Sequence, residues 1–152
     1  MAIPSTMRAV KVFGPNDVRV DATAALPALR PGYLLIKVSS VALNPTDWKG
    51  TAIFNREVPQ TVGCDAAGRV VAVAAQGSEK YQIGDRVAGL CYGLRWGDPT
   101  SGAFGEYALL KEALSLRLPG HVSDAEAATI PVGINTVGQG EKHSGPFSLM
   151  TS

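Results

Sequence analysis

Tyr33-Leu34-Leu35-Ile36-Lys37-Val38-Ser39-Ser40-Val41-Ala42-Leu43 is the longest β-like run in the chain, and its reading decides the fold class. Apolar residues fall at Leu34, Ile36 and Val38 on one face of a strand, and at Leu35, Val41 and Leu43 on the other. A strand that is apolar on both faces is expected to lie between two packed layers. The chain therefore needs more sheet on either side of it.

Upstream, Met7 to Phe13 reads as a strand, Gly14-Pro15-Asn16-Asp17 as a turn and Val18 to Ala22 as the return. Pro27 to Gly32 is a loop into the central run. Downstream, Gly68 to Ala75 reads as a buried strand broken by Gln76-Gly77-Ser78, and Gly84-Asp85 turns into a strand from Arg86 to Leu90. Ala103 to Leu110 and Leu114 to Leu118 complete a set of about seven short strands, which points to an all-β barrel or sandwich.

Two places read as helical. In Asn44-Pro45-Thr46-Asp47-Trp48-Lys49-Gly50, Asn44 suits an N-cap and Pro45 the first helical position. Asp47 complements the positive end of the helix dipole, and Gly50 is expected to end the turn. Ser123 followed by Glu126 is a capping box for a second helix over Asp124 to Ile130, which Pro131 should stop or kink.

Composition agrees with one loop-rich domain. Seventeen Gly and ten Pro among 152 residues favour many turns over a helical bundle. A net charge of +1 with interspersed signs excludes a nucleic-acid footprint or a polybasic membrane patch. No apolar run approaches the ~18–20 residues that span a bilayer. Met1 to Val12 lacks the layout of a signal peptide, and Cys64 and Cys91 read as reduced thiols, so a cytoplasmic chain is expected.

Five segments, in order, resemble the medium-chain dehydrogenase/reductase superfamily. They are Ala42 to Lys49, Gly63 to Gly68, Gly84 to Val87, Gly102 to Tyr107 and Ala127 to Gly133. Each is weak alone, and their common order over roughly the first 140 residues carries the resemblance. Within the superfamily, Asn44-Pro45-Thr46-Asp47-Trp48-Lys49 and Pro131-Val132-Gly133-Ile134 are similar to the fungal trans-acting enoyl reductases. The resemblance implies a mostly β, GroES-like partial barrel with short helices, over residues 1–140. It implies use of NADPH to reduce the α,β-double bond of a carrier-bound chain. The implied partner is a polyketide synthase, or a hybrid polyketide–peptide synthetase, in secondary metabolite biosynthesis.

Zinc members of the superfamily carry Cys where Asn44 stands and His where Cys64 stands, and a third thiolate is expected near Pro131 to Gly140, where no Cys lies. Cys64, Cys91, His121 and His143 are too scattered for a ligand pair, so no metal is expected. Reduction of an enoyl thioester needs hydride at the β-carbon, a proton at the α-carbon and donors for the enolate oxygen, none of which requires a metal.

By resemblance, Lys49 lies at the active site, and Thr46, Asp47, Trp48 and Lys49 line the cofactor. Read without it, Lys49 is a solvated cation at a helix C-terminus and Trp48 a core residue. Asn135 and Thr136 match the region that meets the substrate, with a threonine hydroxyl donating to a carbonyl oxygen, and otherwise they cap a backbone break after Pro131 and Gly133. Cys64 and Asp65 read as structural filler and His121 as a loop residue.

A dinucleotide fingerprint needs G-x-G-x-x-G between a strand and a helix. The nearest text, Gly138-Gln139-Gly140-Glu141-Lys142-His143, ends in His. Glu141 to Ser152 is expected to be an irregular, atypical tail resembling a frame-shifted end, with the Rossmann half missing. NADP binding and turnover are then expected to be weak or absent in this chain. Two other readings stand beside the leading one: a quinone-oxidoreductase-like enone reductase, and a non-catalytic GroES-like module that binds a synthase or a full-length paralogue.

Overall fold

The computed structural model describes residues 3–52, 59–74 and 78–143, the last three by backbone alone. The chain runs β1 (Thr6–Gly14), β2 (Asp17–Ala25), β3 (Tyr33–Ala42), α1 (Pro45–Ala52), β4 (Gln60–Thr61), β5 (Asp65–Val73), β6 (Arg86–Leu90), β7 (Tyr107–Lys111), a 3-10 turn (Glu112–Leu114), β8 (Ser115–Arg117), α2 (Asp124–Ala128) and α3 (Pro131–His143). Three strands form a sheet in the order β2-β1-β4, and five form a second in the order β7-β3-β5-β6-β8. Every named pairing is antiparallel, so no parallel βαβ unit occurs among the described residues. None of their helices is long and apolar enough to cross a membrane.

The expected partial barrel is formed by one segment that serves both sheets. Ala103 to Leu110 was expected as a single strand, and the structure divides it. Phe104 to Glu106 lies along β1, with Val10 N–H donating to Phe104 O at 2.7 Å and Glu106 N–H to Arg8 O at 3.1 Å. From Tyr107 onward the same backbone pairs with β3. The sheets are thus stitched by main-chain bonds, which leaves few orphaned groups at the seam.

The central run is sandwiched only in its first half. Leu34 and Ile36 enter a core with Val70, Val87 and Leu110, while Leu35 enters another with Met7, Tyr107 and Leu109. Val41 and Leu43 were expected to be covered, yet Leu43 is 85% exposed. The registered pairing with β7 ends at Lys37, and beyond it Val41 and Leu43 edge an open groove beside Val10 and Val20.

The helices differ more from expectation. Ser123 and Glu126 form the capping box, and Ala127 and Ala128 pack closely on Ala67 and Ala88. Gly50 does not end α1, which continues to Ala52. Pro131 ends the α2 region but also opens a third helix, because its fixed φ and missing N–H suit a first helical position. Glu141–His143, expected as part of an irregular tail, belong to α3, so the expected boundary at 140 falls inside a helix. Residues 144–152, Ala75, Gln76 and Gly77 lie outside the described residues.

Gly68 marks the tightest strand approach, since a Cβ there would lie 2.1 Å from Lys37 O. Gly138, in α3, has open space around it. Gly68→Ala is expected to cost about 1–3 kcal/mol in urea unfolding, whereas Gly138→Ala should stabilise by up to about 1 kcal/mol. Equal effects would contradict this packing.

Candidate active site

The end of β3 delivers Asn44 and α1 to the open end of the barrel. Asp47, the third helical residue, turns back and accepts the Asn44 N–H through Oδ2 at 2.7 Å, tightening the first turn. The Asn44 side chain instead donates from Nδ2 to Asp65 Oδ2 at 2.8 Å. The other Asp65 oxygen accepts the Val132 N–H at 2.8 Å, at the start of α3. One carboxylate, 1% exposed at the head of β5, therefore ties the α1 entry to the α3 N-terminus.

Burial dominates the acid–base character here. It raises the Asp65 carboxyl above its usual range despite the bonds from Asn44 and Val132, and neighbouring Asp47 adds to the rise. Asp47 is raised by burial too, against the bonds from Asn44. The Cys64 thiol is pushed up to about 11, by burial first and then by the Asp47 charge. Burial also pushes the fully enclosed Cys91 thiol up. Neither cysteine is a poised nucleophile. Among the described residues, no group of three or more His, Cys, Asp or Glu side chains is arranged to hold a metal ion.

Between α1, the chain after β6 and α3 lies a cavity of about 550 Å³, within the ~300–1,000 Å³ usual for small-molecule sites. Thr46 and Asp47 line it from α1, Cys64 from the barrel, and Val132, Asn135, Thr136 and Gln139 from α3. The α3 residues follow the 3–4 spacing of one helix face. No Asn135 side-chain bond and no Thr46 hydroxyl bond occurs among the described residues, so those groups are available to a ligand.

Four of the expected site residues, Thr46, Asp47, Asn135 and Thr136, thus share one cavity, and two do not. Trp48 is 65% exposed and lies neither in the cavity wall nor in the core. Lys49 sits beside it, Nζ 5.4 Å from the indole ring, outside the cavity lining. The α1 turn points Thr46, Asp47 and Gly50 inward, which leaves Trp48 and Lys49 outside. Thr136 does not cap a backbone break, because α3 is continuous there. Its hydroxyl proton goes to Val132 O at 2.7 Å, which leaves the oxygen as an acceptor rather than a donor.

Asp65, Val132 and Gln139 were missed as site residues. The available signal was Asp65 itself, since a carboxylate heading the buried run Asp65-Ala66-Ala67-Gly68 requires partners. Gly138-Gln139-Gly140 lies within a helix, not in a strand–turn–helix loop, so it is no dinucleotide fingerprint.

No Lys or Arg lines the cavity, and the Val132 N–H at the start of α3 is already taken by Asp65. The residues present fit the uncharged nicotinamide and ribose end of a dinucleotide, with Thr46 and Asn135 as hydrogen-bonding groups. They do not supply a cradle for its diphosphate.

An antiparallel partial barrel, with a cavity free of Lys and Arg between two helices at its open end, defines the class. Residues 30–120 match the alcohol dehydrogenase GroES-like domain, and the chain belongs to that family. It is 43% identical over 135 residues to trans-enoyl reductase resD of Aspergillus sclerotiorum, covering 88% of this chain and 37% of that protein. A quinone oxidoreductase from Coxiella burnetii superposes with a TM-score of 0.73 at 25% identity, covering 90% of this chain and 44% of that one. A mycobacterial protein complexed with NADPH gives 0.73 at 24% identity, over 91% and 42%, a likeness of fold. The chain spans about two fifths of the length of the curated relatives it matches.

Cys64 is expected to react with iodoacetamide at pH 8 about a hundredfold more slowly than an unstructured cysteine, from a thiol near 11 in place of 9.0. Its rate should rise about tenfold per pH unit toward 11, followed by peptide mass spectrometry. Rapid labelling of the folded chain at pH 8 would contradict the assigned environment.

Proposed function

We propose that this domain is the barrel portion of a trans-acting enoyl reductase. It would use NADPH to reduce the α,β-double bond of a chain carried by a polyketide synthase, or by a hybrid polyketide–peptide synthetase. The observation that carries this reading is a hydrogen-bonding cavity without Lys or Arg, lined by Thr46 from α1 and Asn135 from α3. Relatives named trans-enoyl reductases support the reaction class, and the fold neighbour complexed with NADPH supports the cofactor.

In this reading bound NADPH would supply hydride to the β-carbon, and solvent at the cavity mouth would supply the proton that the α-carbon takes. The Asn135 amide donates to the thioester oxygen, a bond that strengthens as that oxygen takes enolate charge. Thr46 and Asp47 orient the ribose end, and Leu90, Leu94 and Val132 give the acyl chain an apolar wall. Trp48 and Lys49, outside the cavity, would meet the part of the coenzyme or substrate that projects from it. Their roles rest on the resemblance of the α1 motif.

Given NADPH, a reductase carrying this domain is expected to saturate an enoyl thioester in preference to reducing a free quinone, seen by product mass. Asn135→Ala should lower kcat by about 10²–10³-fold, the usual loss for one oxyanion donor. Quinone turnover without thioester turnover would overturn the proposal. Residues 1–152 alone, whose cavity holds no diphosphate cradle, are expected to bind NADPH more weakly than micromolar by calorimetry. A micromolar Kd would contradict that.

A further inference from the structure

We propose that a second cavity, opening beside the first, is an anion subsite for a phosphate ester, namely the phosphate of the pantetheine-type arm that carries the enoyl thioester. This inference rests on the enoyl-reductase reading. The cavity encloses about 540 Å³ and is lined by Arg30, Arg95 and Lys111 together with Tyr33, Tyr92 and Trp96. Three separate segments supply the cations: the loop before β3, the loop after β6 and the end of β7.

The charges do not cancel. Arg30 is engaged, donating to Asp98 Oδ2 at 2.7 Å and stacking on the Tyr33 ring at 4.4 Å. Neither Arg95 nor Lys111 has a carboxylate partner among the described residues. Two uncompensated cations thus face one concave site, and a guanidinium fork beside an ammonium suits a phosphate ester. Burial raises the Tyr33 phenol, but bonds from Arg95 and Arg30 outweigh it and hold the phenol below its usual range, so both guanidinium groups converge there. Tyr92 and Trp96 are largely exposed and offer flat apolar surface to the organic part of an arm.

The placement orders the ligand. Asn135 and Gln139 line both cavities, as do Leu90, Cys91 and Tyr92, so the two spaces share a wall. The first cavity has no cation and the second has three. A molecule with a thioester at one end and a phosphate at the other matches that sequence of environments. The phosphates of a dinucleotide are the alternative source of the same chemistry.

The test titrates residues 1–152, observed by NMR, with 4′-phosphopantetheine, pantetheine and adenosine 2′,5′-bisphosphate. Phosphopantetheine is expected to bind at least about tenfold more tightly than pantetheine, as hydrogen bonds to a charged group imply. That advantage should fall with salt and vanish in the double variant Arg95→Gln/Lys111→Gln, checked for folding by circular dichroism. Arg95→Lys should retain part of it. Equal binding of the two arms, or a well-folded double variant with unchanged preference, would overturn the proposal. Tighter binding of the adenosine bisphosphate at the same residues would overturn the assignment to the arm while leaving the enoyl-reductase reading intact. That reading fails separately, if a reductase carrying this domain, given NADPH, reduces free quinones but no enoyl thioester.

Discussion

A single buried carboxylate organises the open end of this barrel. Asp65 heads a strand of small apolar residues and holds Asn44 with one oxygen and the Val132 N–H with the other. A carboxylate so enclosed is costly unless its lone pairs are met. Here the two partners belong to the entries of two different helices. The bonds that satisfy Asp65 therefore also set the distance between α1 and α3. The cavity between Thr46 and Asn135 follows from that separation.

Electrostatics divide the surface around this anchor. The first cavity holds no Lys or Arg and is lined by hydrogen-bonding groups, among them the Asp47 carboxyl and the Cys64 thiol, both raised by burial. The second, across a shared wall, gathers guanidinium and ammonium groups around aromatic rings. In the proposed reaction, charge would develop on the thioester oxygen that receives a hydrogen bond, and cations displaced to one side leave that bond as its stabiliser. The family supplies a barrel for many reactions, and these local charges are what distinguish one use of it from another.

The barrel was largely legible in the sequence, since apolar runs between turn residues mark seven of its strands, while the two-residue β4 (Gln60–Thr61) gives no such run. The hairpin at Gly14 to Asp17 and the capping box at Ser123 are local devices, and both form as read. Features set by distant residues were not legible. The start of α3 is satisfied by Asp65, 67 positions away, and its glycines hide the helical propensity that remains. The split of Ala103 to Leu110 between two sheets depends on where β1 lies. At the site, the α1 motif places Thr46 and Asp47 in the cavity wall. A text motif carries no facing, however, and Trp48 and Lys49 fall on the side of the turn away from the cavity.

Hydrogen exchange in an Asp65→Ala variant tests the organising role of that carboxylate most directly. The amides of Val132 to Thr136 should lose protection by a factor of about ten to a hundred, on the scale of one orphaned buried donor. Those of Leu34 to Ile36 and Val70, in the barrel core, should keep theirs. Unchanged protection in α3 would show that the helix is held by something other than Asp65, and the account of the cavity would fall with it.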